Sequence, residues 1–391
     1  MKNTPRSRLL RPAIALRALY FLHYGSSASW VPFFNVYLQQ LGLTGLQIGM
    51  LSGVRPAVAT LIQPLWGLIA DLGGRRRTLL WTALLSALAT LGFIWTGSFW
   101  PVLVWMIVLA FLATPIGPLV DSLVLDYLEL NRRASYGALR MWGAVGWAAM
   151  SFAVGQAIAG RDIRLTFGFG AGLMGLGWLL AARAADRDAR SRALANRWRD
   201  LGPLLRNRKL LTFLTLVMLL QVGASSLFSF YSIYMTELGA SNQLIGLAYG
   251  IQGISELPVY LIAAAVIRRI GAARAVTISF FLSAIRALLY SAISNPGLAA
   301  ATQVMHGTFS LFLVASVEYV NELVPAEWRA TGQSILSAAY FGLGSILGNT
   351  LAGLLYDRVG VQSMFRLDGF LILGVGLIAV WVLRAPAGAE L

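Results

Sequence analysis

Apolar segments of about 20 residues recur along this chain, and each is long enough to cross a ~30 Å hydrocarbon layer as an α-helix. A helix in a bilayer satisfies its own backbone hydrogen bonds, so these segments predict an all-α polytopic membrane protein. Twelve transmembrane helices are predicted, at residues 14–39, 46–70, 78–98, 101–127, 137–158, 163–183, 210–236, 243–267, 274–293, 297–320, 330–356 and 361–384.

Composition restricts the chemistry that the chain offers. Charged residues make up 12% of the sequence and mean hydropathy is +0.70, whereas soluble domains carry about twice that charged fraction. The absence of cysteine excludes disulfides, thiolate metal sites and cysteine nucleophiles. The two histidines, His23 and His306, are too few and too far apart in sequence for a histidine metal cluster. We therefore expect no metal and no cofactor.

The net charge of +15 follows membrane topology. Most lysines and arginines fall in the amino-terminal segment, the predicted 2–3, 4–5 and 8–9 loops and the central polar segment, all on one side of the predicted spans. The positive-inside rule makes that side cytoplasmic and places both termini there. We expect a multi-pass protein of the cytoplasmic (inner) membrane that contacts the lipid bilayer and no nucleic acid.

The chain contains an internal repeat. The segment VYLQQLGLTGLQIGMLSG (36–53) aligns with IYMTELGASNQLIGLAYG (233–250), one in each half of the sequence. Two six-span repeats have the same orientation in the membrane, which is a standard transporter plan with the substrate site between the halves. The sequence therefore predicts two pseudo-symmetric six-helix bundles and a linker in a monomer, at residues 1–183, 184–209 and 210–391.

The loop between predicted spans 2 and 3 reads GLIADLGGRRR (67–77). Its position and its G-x-x-x-D-x-x-G-R-R-R spacing resemble the loop motif of the major facilitator superfamily. In that family the motif holds the cytoplasmic side of the two halves together in the outward-open state. The resemblance implies such a conformational switch loop, with Gly67 for close helix contact and Gly74 for a tight turn. Its residues are Gly67, Asp71, Gly74, Arg75 and Arg77.

Further segments narrow the resemblance to one branch of that superfamily. Residues 20–38, 63–71 and 139–148 look like helices of the lactose permeases, and residues 253–261 and 303–312 look like the phenylpropionate permeases. The similarity covers most of the chain and keeps the order of the motifs. It implies a proton symporter of a small organic solute.

Several ionisable side chains fall inside the predicted spans, where each costs about 2.5–3.5 kcal/mol on an insertion scale. Such groups usually face a cavity or a partner. They are Arg55, Asp121, Asp126, Arg140, Glu256, Arg286, His306 and Glu318.

Arg140 has two candidate partners on the preceding span. Asp126 lies at a similar depth in the hairpin, and Asp121 lies deeper. Either carboxylate could meet Arg140, and Asp126 could instead form a structural pair, as could Glu318 near the cytoplasmic end of its span. The lactose-permease resemblance favours Asp121, because the family's acid in this position binds sugar together with the arginine.

Trp147 lies two helical turns beyond Arg140 on the same face. In the lactose-permease branch a tryptophan at this spacing stacks on the sugar ring. A ring face suits sugars, nucleosides and aromatic acids alike, and a packing role remains an alternative. The expected substrate-binding residues are Arg55, Asp121, Arg140, Trp147, Glu256 and His306.

Three groups of the second half, Glu256, Arg286 and His306, lie on three separate spans. In the related permeases the matching positions form a cluster that links substrate to proton. A carboxyl group that moves between buried and arginine-paired environments can load and release a proton. One position departs from the pattern, since Phe309 stands where the lactose permease has its proton-carrying glutamate. Glu256, Asp121 or Glu318 could carry the proton instead, and uniport is also open.

The sequence thus favours a secondary active transporter with alternating access, proton-coupled to a saccharide, a nucleoside or a small aromatic acid. A proton-coupled exporter or lipid flippase on the same fold is the alternative, although such proteins have fewer buried charges. An integral membrane enzyme is not expected, because the cytoplasmic loops hold mainly arginines and no histidine.

Overall fold

The computed structural model describes residues 12–131, 135–183, 204 and 206–383, and these residues contain helices and no strand. Most of the predicted linker 184–209 lies outside the described residues, as do the amino-terminal basic residues before position 12. The α-helices are α1 Pro12–Gln40, α2 Gly45–Gly73, α3 Arg75–Gly92, α4 Phe99–Ala113, α5 Ile116–Leu130, α6 Tyr136–Ala157, α7 Leu165–Arg183, α8 Arg208–Ala224, α9 Ser226–Ser229, α10 Tyr231–Glu237, α11 Asn242–Ile270, α12 Ala272–Ala292, α13 Pro296–Ala301, α14 Thr308–Leu323, α15 Arg329–Ser337 and α16 Ser345–Val382.

In the part of the chain that the structure describes, nine helical stretches are long and apolar enough to cross a membrane. Twelve spans were expected, and composition explains the difference. The stretch 326–382 contains two of the predicted spans, divided at Gly360, whose φ is +76°. Helices α1 and α6 are long enough to cross a membrane but are less apolar than these nine, because they carry many small and polar residues.

The repeat seen in the sequence has a counterpart in the backbone. Thr44 caps α2 by accepting a hydrogen bond from the Gln47 amide at 3.3 Å, and Ser241 caps α11 in the same way from the Leu244 amide. Such caps satisfy amides that a helix start leaves without partners. Each cap follows a glycine with positive φ, Gly42 at +76° and Gly239 at +81°.

Several spans are interrupted where they pass the interior. The seventh predicted span is divided into α8, α9 and α10 at Ser225 and Phe230. A 3-10 segment, Thr302–Gly307, precedes α14, and a π-helical segment, Ala338–Gly344, precedes α16. Irregular helical turns of these kinds are frequent at functional sites.

The N-terminal half (residues 12–183) and the C-terminal half (residues 206–383) meet along two antiparallel helix pairs. In the first pair, α2 crosses the start of α16, and a Cβ on Gly49 would collide with the carbonyl oxygen of Asn349. In the second pair, α6 crosses α11, and a Cβ on Gly155 would lie 2.7 Å from the Asn242 carbonyl oxygen. Small residues allow such close approach between membrane helices.

Candidate functional site

A cavity of about 550 Å³ lies between the two halves. The crossings of α2 with α16 and of α6 with α11 flank it, so both halves contribute to its wall. All of the ionisable groups predicted to bind substrate line it except Asp121. Its charged and imidazole side chains are Arg55, Arg140, Glu256, Arg286 and His306.

Tyrosines surround Arg140 on the N-terminal wall. Its guanidinium donates to the Tyr24 hydroxyl at 2.7 Å and lies 4.1 Å from the centre of the Tyr24 ring and 5.6 Å from that of Tyr20. Asp121 accepts hydrogen bonds from Tyr20 at 2.5 Å and from Tyr136 at 3.1 Å. The expected direct pairing of Arg140 with a carboxylate is therefore corrected: Tyr20 links Arg140 to Asp121 instead.

Asp126, the other candidate partner of Arg140, lies at a different contact. Its carboxylate forms an ion pair with Arg75 at 3.2 Å. The reason is the packing of α3 against α5, which brings the first residue of α3 beside the last turns of α5. Asp126 therefore joins the loop motif to α5, away from the cavity.

Arg55 lies on α2 and also lines the N-terminal wall of the cavity. Its guanidinium is 5.3 Å from the centre of the Trp30 ring, within range of a cation–π interaction. Among the described residues, Arg55 has no ion-pair or hydrogen-bond partner. A guanidinium carries five donors and prefers to have them engaged when it leaves bulk water.

A chain of hydrogen bonds on the C-terminal wall joins the three groups that were predicted to cluster. Arg286 donates to His306 Nδ1 at 2.9 Å, and the Glu256 carboxylate lies 3.3 Å from His306 Nε2. Because a guanidinium only donates, Nδ1 must be unprotonated and the imidazole proton is on Nε2, directed at Glu256. His306 is thus neutral here and holds the carboxylate in place.

Two glutamines that sequence reasoning missed lie against this chain. Gln303 accepts a hydrogen bond from Arg286 at 2.6 Å. The side-chain nitrogen of Gln252 lies 3.1 Å from His306 Nε2, and because both atoms carry protons this contact is not a hydrogen bond. The signal available in the sequence is a glutamine inside an otherwise apolar span, four residues before Glu256 or three before His306.

Arg140 and Glu256 lie at neighbouring levels across the α6–α11 crossing. The antiparallel register runs from Gly155 beside Gly246 to Trp147 beside Gly253, where a Cβ on Gly253 would lie 2.9 Å from the indole. Continuing that register brings Glu256 level with the helical turn that follows Arg140. Trp147 therefore both packs at the crossing and lines the cavity.

The remaining motif residues lie outside the cavity. Gly74 has φ +88°, which provides the expected turn, whereas open space surrounds Gly67. Asp71 and Arg77 lie near this turn, and Asp71 is exposed. Glu318 is exposed and has no ion-pair partner among the described residues, so its predicted structural pair is not found.

A buried carboxyl group in the last predicted span was not singled out from the sequence. Asp368 is 2% exposed, and its Oδ2 atom has no hydrogen-bond partner within the described chain. It does not line the cavity. The signal that reveals Asp121 applies equally to Asp368, since both are acids inside an apolar segment.

Comparison with known proteins agrees with the fold. Residues 13–367 match the MFS_1-like family. The chain is 30% identical to the maltose permease of Geobacillus stearothermophilus, over 88% of each protein. It is 26% identical to the uncharacterized transporter YwbF of Bacillus subtilis (strain 168), over 93% of this chain and 92% of that protein. It is also 26% identical to a probable 3-phenylpropionic acid transporter of Escherichia coli (strain K12), over 87% and 90%.

Solved structures share the same fold at lower identity. The nucleoside transporter NupG superposes with a TM-score of 0.86 at 18% identity, over 96% of this chain and 100% of that one. A bacterial homologue of the human lysosomal transporter Spinster, in an inward-facing and occupied conformation, superposes with a TM-score of 0.74 at 15% identity, over 96% and 98%.

Proposed function

Because the chain belongs to the MFS_1-like family of the major facilitator superfamily, we propose that it is a proton-coupled symporter working by alternating access. The predicted membership of that superfamily is confirmed, and the chain is a multi-pass membrane transporter rather than an enzyme. The proposed substrate is a saccharide, a nucleoside or a small aromatic acid. Maltose permease, NupG and the 3-phenylpropionic acid transporter represent these three classes among the similar proteins.

One observation carries the proposal: a cavity between the halves has the chain Glu256–His306–Arg286 on one wall and Arg140 with Trp147 on the other. A substrate between the walls would contact both halves at once. Its binding would therefore depend on their relative position, as alternating access requires.

Glu256 is the proposed proton carrier. Nδ1 of His306 already accepts a hydrogen bond from Arg286. A second imidazole proton, added at Nδ1, would lie beside the positive charge of the Arg286 guanidinium. The Glu256 carboxylate can instead take a proton from water in the cavity and lose it when the halves move. Phe309 lies 5.4 Å from His306, centre to centre, and offers no alternative acid.

The full architecture in this proposal has twelve spans in two six-helix bundles, residues 1–183 and 210–391, joined by the linker 184–209, with both termini cytoplasmic. The halves contact each other at the end of the molecule that contains the first loop, residues 41–44, and this end is opposite to the start of α1. These contacts support a state in which the molecule is closed at that end. That end would be periplasmic, and the cavity would then open to the cytoplasm.

An exporter or a lipid flippase on the same fold is the less favoured function. The cavity wall has three guanidinium groups and one carboxylate, and an uncharged lipid tail would leave these groups without compensation. A fixed polar wall of this kind fits a small polar solute better.

Uptake by the purified protein in proteoliposomes tests the proposal. With an inward proton gradient, radiolabelled maltose, uridine and 3-phenylpropionate are offered separately, and we expect one of them to accumulate. Glu256→Gln and Arg140→Ala should each abolish accumulation while the protein stays folded. The matched controls are Glu318→Gln and Arg161→Ala, two exposed positions away from the cavity. Full accumulation by both cavity variants would show that the site is placed wrongly.

A further inference from the structure

The charges of the cavity do not balance. Arg286 is compensated by Glu256 through His306, and Arg140 is compensated by Asp121 through Tyr20. Arg55 has the Trp30 ring but no carboxylate in the described part of the chain. These residues thus comprise three guanidinium groups and two carboxylates, which leaves one excess positive charge, at Arg55.

The charged hydrogen-bond donors that line the cavity outnumber its charged acceptors, because the wall has three guanidinium groups and one carboxylate. The carboxylate of Glu256 already faces His306, and the polar side chains at one end of the cavity are engaged with each other. There Asn35 donates to the Ser229 carbonyl oxygen, and the Ser229 hydroxyl donates to Asn349. Sugar hydroxyls need acceptors, whereas a carboxylate needs only donors. Arg55 and Arg140 contribute guanidinium groups that have no direct carboxylate partner in the described chain, and a guanidinium matches a carboxylate with two parallel hydrogen bonds.

Aromatic rings form much of the rest of the wall. Trp30 lies beside Arg55, Trp147 lies at the α6–α11 crossing, and Phe309 stacks against Tyr340 with ring centres 6.2 Å apart. Such surfaces bind a flat apolar ring by burial and offset stacking. One end of the ligand is therefore expected to be anionic and the other end aromatic.

From this arrangement we infer that the transported substrate is a monoanionic aromatic carboxylate, whose carboxylate is bound by Arg55. This inference rests on the proposed transport function and names its substrate class. While Glu256 is ionised, the bound anion neutralises the excess charge of the cavity. Symport with one proton would then move no net charge.

Ligand-induced thermal stabilisation of the purified full-length protein in detergent tests this inference. The probes are 3-phenylpropionate and benzoate, compared with 3-phenylpropionamide, maltose and uridine, which are uncharged. A ligand that binds only the folded state raises the midpoint of unfolding. We expect stabilisation by at least one acid and none by the amide at the same concentration.

Arg55→Gln should weaken binding of that acid about 30-fold or more, since it removes the charged partner from a buried contact. Arg55→Lys, which keeps the charge, should retain part of the affinity, and Arg161→Gln should bind as the unchanged protein does. The unfolding midpoint of each variant without ligand reports whether it is folded.

Stabilisation by maltose, uridine or the amide without the acids would overturn the anionic class and leave the transport proposal standing. Unchanged acid binding by a folded Arg55→Gln would overturn the role of Arg55. Absence of binding by every probe, together with absence of uptake in proteoliposomes, would count against both proposals.

Discussion

The closed end of the molecule is held by a carboxylate that caps a helix of the other half. Asp357, in the first part of α16, accepts hydrogen bonds from the backbone amides of Gly45 at 2.6 Å and Leu46 at 2.8 Å, the first two residues of α2. These amides are without intrahelical partners at a helix start, and the helix dipole favours a negative charge there. The contact can exist only while this end is closed.

The magnitude of this contact is estimated from helix capping. Removing a capping side chain costs about 0.5–2 kcal/mol, typically about 1. Asp357 is exposed, so we take about 1 kcal/mol, and the amides regain water when the end opens. A change of that size multiplies the ratio of open to closed molecules at this end about fivefold. Asp357→Ala should therefore shift the population without unfolding the protein.

Distance measurements between two spin labels would detect the shift. The chain has no cysteine, so Ser98→Cys and Ser294→Cys, at exposed positions of loops in the two halves, can be labelled without background. Asp162→Ala is the matched control, because Asp162 also accepts a backbone amide, that of Arg164 at 2.8 Å, but within one loop. We expect a larger long-distance fraction for Asp357→Ala only. An equal increase in the control, or no increase at all, would refute the reasoning.

Two further substitutions test neighbouring contacts. Gly49→Val introduces a side chain that collides with the Asn349 carbonyl oxygen. We expect it to separate the halves at this end more strongly than the loss of the cap, measured with the same pair of labels; an unchanged distance distribution would contradict the close packing. Tyr24→Phe removes the 2.7 Å hydrogen bond to the Arg140 guanidinium but keeps the ring beneath it. Uptake should fall only in part, whereas Arg140→Ala should abolish it, and equal loss in the two variants would contradict a separate role for the ring.

Local rules in the sequence predict much of the helical framework. Apolar length predicts most spans, and the repeated Thr44 and Ser241 caps follow from short-range patterns. The interruption at Ser225 and the π-helical segment 338–344 could not be predicted in this way. They depend on packing against other helices and on the cavity, which hydropathy along one helix does not contain.

The sequence predicts which residues belong to the candidate site better than it predicts which side chains those residues contact. A charge inside an apolar span marks Arg55, Arg140 and Glu256 as cavity groups, and the cavity contains all three. Partners depend on helix rotation, which hairpin depth alone does not fix. Hairpin depth made Asp126 one of two candidate partners of Arg140, whereas the rotation of α5 turns Asp126 towards Arg75.

The contact at Asp357 also clarifies the role expected of Asp71. A Gly-x-x-x-Asp sequence ends at each, Gly67 to Asp71 and Gly353 to Asp357. Because α2 and the start of α16 are antiparallel, Asp71 lies at the end of the molecule opposite to Asp357. Both carboxylates are exposed, but Asp357 accepts two backbone hydrogen bonds whereas Asp71 forms no hydrogen bond or ion pair within the described residues. If the two halves are rigid and pivot about this crossing, closing one end of the molecule opens the other. Each carboxylate would then be engaged, and would stabilise the protein, only in the state in which the other carboxylate is not engaged.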